Sequence, residues 1–206
     1  MIRLTEGIYS WNTFNEQKGM NFNGILLVCK DGAVVIDPPP HSTTDEMFFD
    51  KKLKFKPNLA VVTNKHHLRN VQWWLERYKI PLAMHEGETN DYDFVVSKKL
   101  KEGDRVAGEL QVLHLPGKTP GEIGLYLERE GGTMILGDAI IGEPMGSLGL
   151  LPKEKIQNQE ELEQSLQKLS SLIFERLLLG DGEPLLVGAK REVTRLLDRF
   201  SKPIRI

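Results

Sequence analysis

An α/β sandwich, with helices covering two sheets, is the fold class that the sequence predicts. Short apolar runs bounded by Gly and Pro read as strands, and two later segments repeat apolar residues every three or four positions, as amphipathic helices do. The order matters as well: strands lead, and helices are interleaved with strands afterwards. With 206 residues, 40% of them hydrophobic, the chain can bury a sizeable core, and one domain spanning 1–206 is expected.

Gly24 to Lys30 is a short apolar run, Asp31-Gly32 is a two-residue turn signal, and Ala33 to Asp37 is a second run rich in valine, so the three together read as a hairpin. Pro38, Pro39 and Pro40 stop that strand, because proline supplies no ladder donor. Thr43 with Glu46 offers a capping box for a short helix that the lysines of 51–56 interrupt. Leu59 to Thr63 reads as a strand, Leu68, Val71, Leu75 and Tyr78 as one helical face, and Pro81 to Met84 as the next strand. Leu110 to Leu115, Ile123 to Leu127 and Thr133 to Leu136 are three apolar segments with tight connections, expected as sheet neighbours. Asn158 with Glu161 can cap a helix whose Leu162, Leu166, Leu169 and Ile173 share a face. Arg176 to Leu179 is a strand, and Val193, Leu196, Leu197 and Phe200 form a last helical face.

Composition excludes several classes. Cys29, the single cysteine, cannot form an internal disulfide, and its place in a strand pattern suits a buried residue. Twenty-seven basic against 29 acidic residues leave a net charge of −2, with no global field to recruit nucleic acid or anionic membrane. Met1 to Ser10 lacks a basic stretch followed by an apolar run, and no segment approaches the roughly 18 apolar residues of a membrane span; a cytoplasmic protein is expected.

Four polar junctions follow apolar strands, where a sheet would fix the origin of functional side chains. They are Thr63 to Arg69, Pro116-Gly117-Lys118-Thr119-Pro120-Gly121, Gly137-Asp138-Ala139 and Gly180-Asp181-Gly182. In order and frame they resemble the motifs of the metallo-β-lactamase superfamily, Thr-His-x-His-x-Asp-His, Pro-Gly-His-Thr-Pro-Gly, Gly-Asp-Ala and Gly-His-Gly. The stretch from Gln159 to Gly182 is similar to the glyoxalase-II-like branch, and Asn23 to Asp37 to the family's opening hairpin. The resemblance implies a four-layer αβ/βα sandwich.

It also implies a metal cage, in which zinc lowers the pKa of bound water to about 7 and makes hydroxide available for hydrolysis. Here the residues depart from the pattern. The first histidine is Asn64, the second is kept as His66, the aspartate is Leu68 and the third histidine is Arg69. The histidine of the second loop is Lys118, the bridging aspartate is kept as Asp138, and the histidine of the last loop is Asp181. Leu68 has no donor atom, and Arg69 and Lys118 are cations that cannot ligate while protonated. If the loops converge, Arg69 and Lys118 are expected to pair with Asp138 and Asp181 in place of zinc, since an unpaired buried carboxylate is costly. Five histidines would suffice by count for a two-metal site, but His41, His67, His85 and His114 fall outside the ligand frame and only His66 lies inside it.

Other features yield to simpler explanations. His67 and His114 are expected to be structural, and His41 has no evident partner. The acidic segment His85 to Asp93, with Glu86, Glu88, Asp91 and Asp93, reads as a solvated loop. Gly117-Lys118-Thr119 fails as a phosphate loop, because the nucleotide motif needs glycine where Val112 stands and a helix afterwards. Lys51, Lys52, Lys54 and Lys56 around Phe55 could touch RNA, but no second basic patch extends the track. Of Trp73 and Trp74, at least one is expected in the core, and an exposed one could serve an interface.

Three functional readings follow. In the first, the chain has lost metal and the hydrolytic mechanism, and binds a small molecule or a protein in the old cleft. In the second, it is a hydrolase of an ester, thioester or phosphodiester with one zinc or other divalent metal at His66, Asp138 and Asp181, Asn64 being a weak fourth ligand. In the third, His66 is the acid or base of a metal-free hydrolase, and Lys118 and Arg69 stabilise an oxyanion. The two cations at ligand positions favour the first.

Overall fold

A computed structural model describes residues 1–51, 56–88 and 95–200. Among them are two sheets and four α-helices, arranged as the predicted αβ/βα sandwich. The first sheet holds, in spatial and chain order, β1 (Ile2–Thr5), β2 (Ile8–Asn15), β3 (Met20–Cys29), β4 (Gly32–Ile36), β5 (Pro57–Val61), β6 (Leu82–His85) and β7 (Val96–Leu100). β1 to β4 run antiparallel, and β4 to β7 are parallel. The second sheet runs β12 (Arg176–Leu179), β11 (Thr133–Leu136), β10 (Ile123–Leu127), β9 (Leu110–His114) and β8 (Arg105–Val106), with β11 and β12 parallel and the rest antiparallel.

Three apolar layers follow from alternation along the strands. Ile25, Leu27, Val34 and Ile36 face Val112, Ile123, Leu125 and Ile135 between the sheets. The opposite faces of the same strands, through Leu26, Ala33 and Val35, meet Phe49 of α1 (Thr43–Lys51) and Val71 and Trp74 of α2 (Val71–Tyr78). On the other side, α3 (Gln159–Leu166) and α4 (Ala189–Phe200) press Leu162, Leu166, Val193, Leu196 and Leu197 onto Met134, Leu136, Leu177 and Leu179. Each such fully buried aliphatic side chain contributes about 1.5–3 kcal/mol relative to exposure.

Several elements differ in detail from their patterns. β1, β2, β7 and β8 carry no strong alternation of their own and form because neighbouring edges supply partners. The cap of α1 lies one residue earlier than Thr43: the Asp45 amide donates to Ser42 Oγ at 3.1 Å, and Ser42 donates to Asp45 Oδ2 at 2.8 Å. Asn158 does cap α3, accepting from the Glu161 amide at 3.1 Å. Ile173 leaves the apolar face expected of it, since the helix tightens into a 3-10 turn at Gln167–Ser171 and ends; Ile173 is 79% exposed.

Trp74 is fully buried, and Trp73 is half-buried against His41, 4.3 Å between ring centroids, which gives that histidine its aromatic setting. Cys29 is buried, and burial pushes its thiol up to about 12. His85 and His114 stack at 3.9 Å, and Glu88 accepts the Thr119 hydroxyl at 2.6 Å. Asp91 and Asp93 of the acidic segment, and Lys52, Lys54 and Phe55 of the basic cluster, lie outside the described residues. No helix among the described residues is long and apolar enough to cross a membrane.

Candidate functional site

The two sheets are joined along one edge. The Asn23 amide donates to Gly180 O at 2.8 Å and the Gly182 amide to Asn21 O at 2.9 Å, while the Ile123 amide donates to Thr63 O at 2.9 Å. That seam brings together the C-terminal ends of four strands: Asp37 after β4, Thr63 to Arg69 after β5, Gly137-Asp138 after β11 and Gly180-Asp181 after β12. The loop from β9 to β10 adds Lys118 and Glu122. All four sequence junctions therefore meet at one place.

The chain after β5 turns through a 3-10 segment, Lys65–His67, capped by Asn64, whose Oδ1 accepts from the His66 amide at 2.8 Å. A 3-10 turn rotates each residue by about 120°, so adjacent side chains point in different directions. His66 is exposed beside a cleft, whereas His67 turns inward and is 1% exposed. Leu68 packs with the apolar cluster below α1 and α2. Arg69, at φ +33°, swings back over the site. Asp37 also has positive φ, +47°, a region costly for side chains other than glycine, though aspartate tolerates it best.

Asp37 anchors the centre. Its Oδ1 accepts the Thr63 amide at 2.8 Å, and its Oδ2 accepts the Thr63 hydroxyl at 2.6 Å and lies 2.8 Å from His67 Nδ1. The far nitrogen, His67 Nε2, lies 3.6 Å from Asp138 Oδ1 and 3.7 Å from Asp181 Oδ1. A Cβ on Gly180 would collide with the His67 ring, so glycine there makes the room for the imidazole.

Two cations complete the arrangement. Arg69 is paired with Asp181 Oδ1, donates to Gly180 O at 3.2 Å, and lies over the Phe22 ring with its central carbon 4.0 Å from the centroid. Lys118, buried, has Nζ 3.3 Å from Asp138 Oδ2. Asn64 Nδ2 donates to Asp138 Oδ1 at 2.8 Å and to Glu122 Oε2 at 2.6 Å, and Lys18 Nζ lies 3.6 Å from Asp181 Oδ2. Thus Asn64, Arg69, Lys118, Asp138 and Asp181 share one network, His66 stands at its border and Leu68 apart from it. His67, Asp37 and Glu122 are members that motif spacing did not reveal, because the family frame treats position 67 as an unspecified spacer.

Electrostatics follows the contacts. Burial and the Arg69 guanidinium push the His67 pKa down, but Asp37 and Asp138 outweigh them and hold it at about 10, so the imidazole is cationic at neutral pH. Burial opposes the charge on Asp138, yet His67 and Lys118 hold its carboxyl far below the ordinary range. Glu122 is the converse case. Burial, and then the Asp138 charge, raise it well above its ordinary 4.5, and its Oε1 has no partner. The carboxyls of Asp37, Asp138 and Asp181 face the cationic side chains of Arg69 and Lys118 and the His67 imidazole across the same network. Partial burial and then Lys118 lower the pKa of His66.

A pH prediction arises from Glu122. Its folded-state pKa lies above its unfolded one, so its contribution is favourable below about pH 4.5 and declines as pH rises. Glu122→Gln removes that decline. Denaturant titrations should give matching stabilities near pH 4 and a variant that gains on the parent as pH rises above about 4.5, with a slope of at most about 1.4 kcal/mol per pH unit. Parallel curves would mean that Glu122 is ionised in the fold.

The chain matches the family model described as the metallo-beta-lactamase superfamily over residues 3–199. With that match and its four motifs in frame, it belongs to the metallo-β-lactamase superfamily. Among solved structures it is similar to the protein TTHA1623 in a di-iron-bound form, at 24% identity and TM-score 0.69, covering 89% of this chain and 98% of that one. A metallo-β-lactamase from Pontibacter korlensis is 15% identical with TM-score 0.76 over 96% and 97% of the two chains. The family protein TTHA1429 from Thermus thermophilus is 18% identical, with TM-score 0.72 over 97% and 81%. At these identities the likeness concerns the fold. No curated protein matches the chain.

Proposed function

We propose that this protein is a metal-free member of the superfamily, of its glyoxalase-II-like branch, which has exchanged hydrolysis for binding of a small molecule or protein in the cytoplasm, with neither membrane nor nucleic acid as partner. The observation that carries the reading is the pair of salt bridges, Arg69 to Asp181 and Lys118 to Asp138, at former ligand positions. Two fixed cations there supply the positive charge that a metal would otherwise bring.

The donor set does not fit a two-metal cage. Its best remaining cluster is His67, Asp138 and Asp181, whose ligating atoms lie within 4.8 Å of one another. An ion among them would have to displace Arg69 from Asp181 and a proton from His67. That convergence nevertheless gives the single-metal hydrolase its own supporting observation, with His67 in the role assigned to His66.

Elemental analysis of protein purified without added metal separates the two. The proposal expects substoichiometric metal, and an unfolding midpoint unmoved by chelator or by added zinc. One zinc, manganese or iron per chain, with a midpoint that falls in chelator, would overturn the metal-free reading in favour of a single-metal site.

A further inference from the structure

The network described above forms the floor of a cleft of about 420 Å³, a size that suits a small organic ligand. Its lining includes the buried Lys118 and Asp138, with His66, and the less buried Lys18, Met20, Leu151, Pro152 and Lys155. The charges are unequal. Three lysines and one aspartate line the space, and both oxygens of that aspartate are already engaged, Oδ1 by Asn64 and Oδ2 by Lys118. Asp181, below the floor, is likewise taken by Arg69. Among the described residues Lys155 forms no ion pair, and Lys18 lies 3.6 Å from the buried Oδ2 of Asp181. The remaining lining residues, Met20, Leu151 and Pro152, are apolar.

We propose that this cleft binds a small amphipathic anion, a carboxylate or a phosphate monoester, with its head group held by Lys118, Lys18 and Lys155 and its apolar body against Met20, Leu151 and Pro152. A buried lysine has three donors, and Lys118 spends one direction on Asp138, leaving others toward the cleft. His66 can add a neutral imidazole N–H to the head group. The inference deepens the metal-free reading and rests on it, because a metal on the floor would itself recruit the anion.

The test is calorimetric titration of the full chain with hexanoate, hexyl phosphate and 1-hexanol, on a preparation of measured metal content. At least one anion should bind about tenfold or more tightly than the alcohol, with affinity falling as salt is raised, and the tighter of the two identifies the head group. Lys18→Gln and Lys155→Gln, both at exposed positions, should each weaken it by about three- to tenfold, and Lys118→Met by more. Arg195→Gln on α4 should leave it unchanged. Anions bound no better than hexanol, or affinities equal in all three lysine variants, would overturn the inference. In metal-free protein that failure leaves the metal-free reading standing; anion binding in protein that carries one metal per chain overturns that reading instead.

Discussion

Arg69→Met should lower the free energy of unfolding by about 3–5 kcal/mol, a large share of the stability of a domain this size. Asp181 is fully buried, and its Oδ1 depends on the guanidinium. Methionine conserves much of the apolar stem over Phe22 but leaves the carboxylate without its closest cation, and Lys18 at 3.6 Å is too exposed to replace it. Removing both members should be milder than removing one, since the cost lies in the orphaned charge; Arg69→Met with Asp181→Leu should recover much of the loss. Urea titrations of the three proteins measure this directly. A single variant within about 1 kcal/mol of the parent, the value of an exposed pair, would show that Asp181 gains solvent or another partner when Arg69 is absent.

Asp37→Ala should be of similar severity, costing about 3–5 kcal/mol, through a different mechanism. It removes the acceptor for the Thr63 amide and hydroxyl and the carboxylate that orients His67. Alanine must also adopt φ +47°, where aspartate and asparagine are better tolerated. Asp37→Asn keeps one acceptor for the Thr63 amide and should lie between the two. The His67 titration supplies a readout beyond stability. Its pKa of about 10 should fall in either variant, because a carboxylate has gone from Nδ1. In the parent, the stability linked to His67 is complete below its unfolded pKa near 6.5 and is lost as pH rises toward about 10. Denaturant titrations between about pH 7 and 9.5 should therefore slope less steeply in Asp37→Ala, and an unchanged slope would place the linked proton elsewhere.

Much of the fold was legible in one sequence because local patterns and tertiary demand agree. The runs at 123–127, 133–136 and 176–179 are the strands β10, β11 and β12, each apolar because it is covered on both faces. β1 and β7 were not legible, since edge strands with exposed positions carry little periodicity, and Ile173 misled because a helical spacing continued past the point where the backbone tightened. The site divides in the same way. Asn64, Arg69, Lys118, Asp138 and Asp181 could be placed by motif frame, each loop following a strand that fixes its position.

His67 could not. The motif frame selects His66 and treats position 67 as a spacer, whereas the inward turn of His67 rests on Asp37, 30 residues earlier, at the end of β4. Glu122 likewise has its pKa raised only because the fold buries it and then brings the Asp138 charge beside it from another strand. Composition and motif order were enough to predict the architecture and to place the cations Arg69 and Lys118 in the motif loops, since both depend on residue type and chain order. Which imidazole faces the acids, which cation meets which carboxylate, and where an excess of lysines opens onto a cleft depend on side-chain direction and separation across two sheets, which emerge only when the strands pair.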